Sequence, residues 1–147
     1  MTFKSSCACA VMLLMAAMAS AQTQRQGTLK AVAGEVSLSQ AGGASRQAEA
    51  GAGLQESDRI VTGRNASVTL ALRDGTIITA GPGTTMELTK VQFDATTQDG
   101  SVLVNLAQGA LRVVTGWLAK LHPEQVNVKT PTSVVGVRGT DFLVEVP

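Results

Sequence analysis

The stretch RNASVTLALRDGTIITAGPGTTMELT, Arg64 to Thr89, decides the fold. Val68, Leu70 and Leu72 fall on one side of an extended chain while Thr69, Ala71 and Arg73 fall on the other. That period of two marks a half-buried strand. Asp74-Gly75 follows, a dipeptide that favours a two-residue turn with positive φ angles, and Thr76 to Thr79 resumes a β-branched run. Gly81-Pro82-Gly83 breaks the chain again. With Gly63-Arg64-Asn65, these turn signals recur about every ten residues, the spacing of short strands in an all-β fold.

The flanking sequence repeats the pattern. TLKAVAGEVSLSQ (Thr28 to Gln40) alternates around Leu29, Val32, Val36 and Leu38. SVLVNLAQGALRVVTG (Ser101 to Gly116) sets Val102, Val104 and Leu106 on one face, breaks at Gln108-Gly109, and resumes at Leu111 and Val113. VNVKT, SVVGV and DFLVEV add further strands near the end of the chain. Ala41 to Gln55 is rich in Gly and Ala and reads mostly as loop, with a short helical stretch around Arg46 to Ala50 as the alternative. Trp117, Leu118 and Leu121 suit one helical turn ended by Pro123, or a loop that drops Trp117 over the core. No long amphipathic helix is present, and the interior must be built from Val, Ala and Leu rather than aromatic rings.

The first residues are not part of that pattern. MTFK carries a single charge, Lys4; the uncharged run CACAVMLLMAAM follows, and Ala19-Ser20-Ala21 supplies small residues. This is the layout of a secretory signal peptide (residues 1–21), with cleavage near Ala21. As a membrane span the run is too short, since crossing takes about 20 apolar residues. Residues 22–27 read as a polar, flexible lead-in and 28–147 as a single all-β domain. No lipid-attachment cysteine stands at the cleavage point, and Cys7 and Cys9 are the only cysteines. The exported chain is therefore expected to carry no disulfide and no thiol chemistry. Removing Lys4 from the 12 basic residues leaves 11 against 11 acidic ones, interspersed along the chain. Such a balance gives no electrostatic reason to expect nucleic acid or anionic lipid.

Residues able to do chemistry are sparse. The single histidine, His122, sits beside Pro123 in a turn-like segment, and no Gly-x-Ser-x-Gly nucleophile turn exists. Neither a metal-ligand spacing nor a phosphate loop is recognisable, so no metal or cofactor is expected. Asp58, Asp74, Asp99 and Asp141 stand beside glycine, serine or a strand edge. Converged in pairs they would suit glycoside hydrolysis; separately, such aspartates close turns by accepting backbone N–H bonds. Arg138, between Gly136-Val137 and Gly139, admits two readings. It is an anion-binding arginine, or a corner tie whose guanidinium folds onto loop carbonyls or Asp141.

VKTPTSVVGVRGTDFLVEV (Val128 to Val146) resembles a signature of the FecR-like periplasmic domain, in which Thr-Pro leads to Val-Arg-Gly-Thr and an aromatic. ESDRIVTGRNASVTLALRDGTIITAGPGTTMEL (Glu56 to Leu88) is similar to its other hallmark, Gly-Asp-x-Ile-x-Thr-Gly followed by aliphatics and Asp-Gly. Here Ser57 replaces the usual glycine before Asp58, and Gly63, Asp74 and Gly75 fill the remaining positions. The likeness spans Leu29 to Val146. It implies an all-β, β-helix-like domain of the bacterial periplasm. The namesake members relay an outer-membrane transporter signal to a sigma factor. This chain is expected to resemble the standalone exported members, without the cytoplasmic segment, membrane span or transporter-docking domain, so the sigma-factor role is not carried over.

Together these readings predict a short β-helix or solenoid, with a two-sheet sandwich as the alternative. The Asp74-Gly75 hairpin signal speaks against a purely parallel coil. The expected function is a non-enzymatic periplasmic interaction or sensory module, engaging an envelope protein or glycan through a strand edge or flat face, with homo-oligomers through such edges as an option. A small envelope hydrolase using paired aspartates and a self-assembling envelope subunit are the competing readings.

Overall fold

The computed structural model describes residues 25–40, 43–94, 96–136 and 141–147. The strands are β1 (Gly27–Ala33), β2 (Val36–Ser39), β3 (Ser45–Gln47), β4 (Gly53–Leu54), β5 (Arg59–Thr62) and β6 (Ser67–Leu72). There follow β7 (Ile77–Ala80), β8 (Thr85–Asp94), β9 (Asp99–Val114), β10 (Val126–Lys129), β11 (Val134–Gly136) and β12 (Asp141–Val146). Between β9 and β10 lie one helical turn, α1 (Trp117–Leu121), and a 3₁₀ turn, Pro123–Gln125. The all-β class stands, and the helical turn over Trp117 with it. The segment from Arg46 to Ala50 is not helical; Ser45–Gln47 is a short strand against β2.

The strands join into long ribbons. β1–β2, β5–β6, β7–β8 and β9 lie side by side in chain order, each antiparallel to the next. Each ribbon bends once. β1, β6, β7 and the end of β9 form one arm of the sheet; β2, β5, β8 and the start of β9 form the other. The bends fall on Gly34, Gly63, Gly81 to Gly83 and Gly109, which align across the ribbons as one crease. Backbone bonds carry the ladder over it: Gly63 N–H to the Glu35 carbonyl (2.8 Å), Gly83 N–H to Gly63 (2.9 Å) and Gly81 N–H to Ala110 (3.1 Å). The result is a curled half-barrel.

Among the described residues every ladder is antiparallel except β9–β10. The strands therefore do not rise as the stacked turns of a β-helix. Neighbours along the chain reverse direction at Asp74-Gly75 and at the Asp94-to-Asp99 turn, as hairpins must. The glycines do mark corners; the corners crease a meander, and its two facing arms share one interior.

The interior follows from the alternation. Leu29, Leu70, Ile78 and Leu111 of one arm and Leu38, Ile60, Met86, Leu88 and Leu106 of the other are almost fully buried in a single cluster. Burying each such side chain stabilises the fold by roughly 1.5–3 kcal/mol before entropy is counted. The far ends of the arms meet where Phe93 at the end of β8 packs edge-on against Trp117, ring centres 6.1 Å apart. Leu118 of α1 is fully buried beneath this contact, closing the mouth of the curl.

Candidate functional site

The residues that stand out in the sequence are first of all parts of corners. Ser57 adopts φ 74°, a left-handed conformation natural to glycine, and its N–H donates to the Leu88 carbonyl (2.7 Å). Next to it Asp58 is 2 % exposed and accepts the Gln55 N–H at 2.9 Å. Burial pushes its carboxyl above the ordinary value, while the Gln55 bond and the charge of Arg46 pull the other way.

Thr62 and Thr84 knit the crease. The Thr62 hydroxyl donates to the Gly81 carbonyl (2.6 Å) and accepts the Thr84 N–H (2.8 Å). The Thr84 hydroxyl donates to the same carbonyl (2.7 Å) and accepts the Ala110 N–H (3.2 Å). Gly109, at φ 98°, passes so close to Thr84 that a β-carbon there would overlap it. A β-carbon on Gly63 would lie 3.3 Å from the Glu35 carbonyl oxygen, a tight approach. Neither threonine stands out in the sequence, although both lie within the hallmark stretch Glu56 to Leu88.

The Asp74-Gly75 turn is wider than a two-residue turn. Only Gly75 has positive φ (87°), and Leu72 N–H closes onto the Thr76 carbonyl at 2.8 Å. Asp74 is 3 % exposed and takes both the Thr76 N–H (2.9 Å) and hydroxyl (2.8 Å). The Thr76 oxygen in turn accepts Gly116 N–H (3.0 Å), and Trp117 N–H reaches the Asp74 carbonyl (3.0 Å). The turn thus anchors α1. Asp99 accepts its neighbour Gly100 N–H (2.8 Å) and lies across the ladder from Asp94, which caps Thr96 and Thr97.

Arg138 and Gly139 lie outside the described residues. Asp141 is held by Arg112 of β9, which grips both carboxylate oxygens, at 3.1 and 2.7 Å, on an exposed surface. This pair holds the Asp141 carboxyl below its ordinary range. Twenty-nine residues separate the partners, and only the β9–β12 register brings them together. Asp58, Asp74 and Asp99 are each engaged within their own turn and Asp141 by Arg112 of the neighbouring strand, and among the described residues none of the four hydrogen-bonds another. Among the described residues no group of three or more His, Cys, Asp or Glu is placed to hold a metal, and no helix is long and apolar enough to cross a membrane.

A different feature is open to a partner. β10 and β12 share one edge of β9, pairing with Val102–Asn105 and with Gly109–Val114 respectively. Leu106 to Gln108 are left between them, beneath a groove of about 530 Å³. Its walls are the Thr130–Ser133 loop and the end of β12, with Val135, Val144 and Val146 as the apolar lining. Among the described residues the outer edge of β12 has no strand partner. On this strand Leu143 is 66 % exposed, with Asp141 and Glu145 on either side of it.

Comparison with known proteins fits this frame. The sequence model of the family described as FecR protein matches residues 58–146, more than half of the chain. The chain belongs to the FecR family. The match begins at Asp58, ends at Val146, and takes in the crease threonines, the groove and the β12 edge. FecR proteins are a regulatory, signalling family, and FecR domains are associated with the cell envelope. No curated protein and no solved structure matches the chain.

Proposed function

We propose that this FecR-family chain is an exported, non-enzymatic interaction or sensory module of the periplasm, engaging an envelope protein or glycan through the β12 edge and its groove. The observation that carries the reading is the contrast between committed and uncommitted groups. Asp58 and Asp74 are buried in turns, Asp99 caps its own turn, and Asp141 is gripped by Arg112. The six-residue β12 instead offers an exposed leucine and a backbone edge that is unpaired among the described residues, the elements by which an extended segment adds to a sheet. The leader-like residues 1–21 support export.

Self-assembly through the same edge is the weaker reading. Two copies of β12 paired antiparallel about Leu143 would set each Asp141 opposite Glu145 of the other, and like charges directly across a ladder destabilise it. The test is a photo-crosslinking residue at Leu143 in the full chain, made with its own leader in the native host. We expect fractionation into the periplasm and a discrete adduct absent when the label stands at Ala31. A chain retained in the cytoplasm, or no adduct from Leu143, would overturn the proposal.

A further inference from the structure

On the opposite side of the molecule, the outer face of the β4–β1–β6 ladder gathers three cations. A cleft of about 160 Å³ is lined by Arg25, Lys30 and Arg73, with Thr28 and Ala71 on its floor. The ladder explains the convergence. Thr28 stands opposite Ala71 on one side and Gly53 on the other, so all three share one row. Gly53 has no side chain, and Arg25 lies across it so closely that a β-carbon there would run into its Cδ and Nε. Arg73 follows β6 and donates its N–H to the Gln26 carbonyl (3.0 Å), next to Arg25.

Lys30 reaches the same face by alternation, two residues after Thr28 with Leu29 turned into the core between them. The β1–β6 register then slips between Leu29 and Ala31, leaving Lys30 without a partner residue on β6. Among the described residues none of the three cations has an ion-pair partner, and no carboxylate lines the cleft. Three unneutralised positive charges on one small hydroxyl-bearing concavity, in a chain with balanced charge overall, call for an anion.

We infer that this cleft binds a phosphoryl group, with the Arg25 and Arg73 guanidinium forks and Lys30 around its oxygens and the Thr28 hydroxyl beneath. Two forks and an ammonium match the several oxygens and double charge of a phosphate monoester better than a single carboxylate. The group can belong to a free phosphate or sugar phosphate, or to a lipid headgroup. The inference does not depend on the β12 edge, which lies elsewhere on the sheet.

The test uses the purified exported chain at low ionic strength, titrated with inorganic phosphate and glucose 1-phosphate while backbone amide resonances are followed. In a second arm it is sedimented with vesicles of phosphatidylcholine alone or with added phosphatidic acid. We expect saturable shifts at Thr28, Ala71 and Arg73. A variant carrying R25Q, K30Q and R73Q should bind roughly tenfold or more weakly, and more weakly in salt, whereas R59Q, R64Q and K90Q together should not. Small phosphates binding without vesicles would assign a soluble ligand; vesicle binding that needs phosphatidic acid would assign a headgroup. No saturable shift and no sedimentation, or equal loss in the control variant, would overturn the inference.

Discussion

Asp58 and Asp141 look alike in the sequence, each an acid at the head of an apolar strand, yet the fold treats them in opposite ways. Asp58 is sealed beneath the turn before β5, its carboxyl raised by burial. Asp141 lies in the open at the head of β12, its carboxyl lowered by Arg112. The first belongs to the creased body of the sheet, where polar groups are turned inward to satisfy one another. The second belongs to an edge, where a polar pair faces solvent and, among the described residues, the backbone beyond has no strand partner. The FecR hallmark around Asp58 thus specifies a shape, and the surfaces left over are where a partner can act.

Breaking the body should have the largest effect. Gly109→Ala forces an L-residue into φ 98° and drives a β-carbon into Thr84, for an expected loss of about 3 kcal/mol or more in urea unfolding. Thr62→Val keeps the volume but strands the Thr84 N–H and one bond to Gly81, at a cost of about 2 kcal/mol. If both variants unfolded like the parent, the crease would not be a stabilising feature of the fold.

A smaller change should go the other way. Ser57 occupies a glycine position of the hallmark with φ 74°, so Ser57→Gly relieves left-handed strain while adding unfolded-chain entropy. The balance favours glycine by roughly 0.5–1 kcal/mol. A lower melting temperature for Ser57→Gly would show that its serine hydroxyl, not its backbone, matters.

Much of this was legible in the residues, for definable reasons. Alternation in Val68 to Leu72 gave the strands, because burial of one face depends only on local period. Ser57 stands out in the sequence only as a departure from the hallmark glycine, and its left-handed backbone emerges from the structure. The crease was not legible. Gly63, Gly81 and Gly109 read as breaks between strands, and only pairing between distant ribbons turns a break into a bend that the ladder crosses. The Arg112–Asp141 grip and the Arg25, Lys30, Arg73 cluster were hidden for the same reason: the register between strands decides which distant side chains meet. Arg138, which the sequence offers as a tie to loop carbonyls or to Asp141, lies outside the described residues.

The two acids also predict opposite responses to pH. For Asp58 the folded protein holds the proton more readily than the unfolded chain, so its contribution is most favourable below the ordinary value of 3.8 and declines as pH rises through the raised folded value. Asp58→Asn, which keeps an acceptor for Gln55 N–H, should remove that decline and leave the protein as stable as the parent, or more so, at neutral pH. A marked loss of stability at pH 7 would mean that the charge facing Arg46 outweighs its desolvation.

For Asp141 the sign reverses. Its carboxyl is lowered, so the contribution is present above 3.8 and is lost as pH falls through the depressed folded value. The pair is exposed on both sides, and water and salt screen it, so the effect on folding should be the smallest of the set. Arg112→Gln is therefore expected to leave the melting temperature nearly unchanged, and any difference should vanish in high salt. Its consequence should appear at the edge instead. Freed from Arg112, Asp141 adds an unpaired negative charge beside Leu143 and Glu145, and the yield of the Leu143 crosslink should change while stability does not. An Arg112→Gln protein that melts clearly lower, with the crosslink intact, would make the pair a structural tie of the β9–β12 ladder and place the partner-facing surface elsewhere.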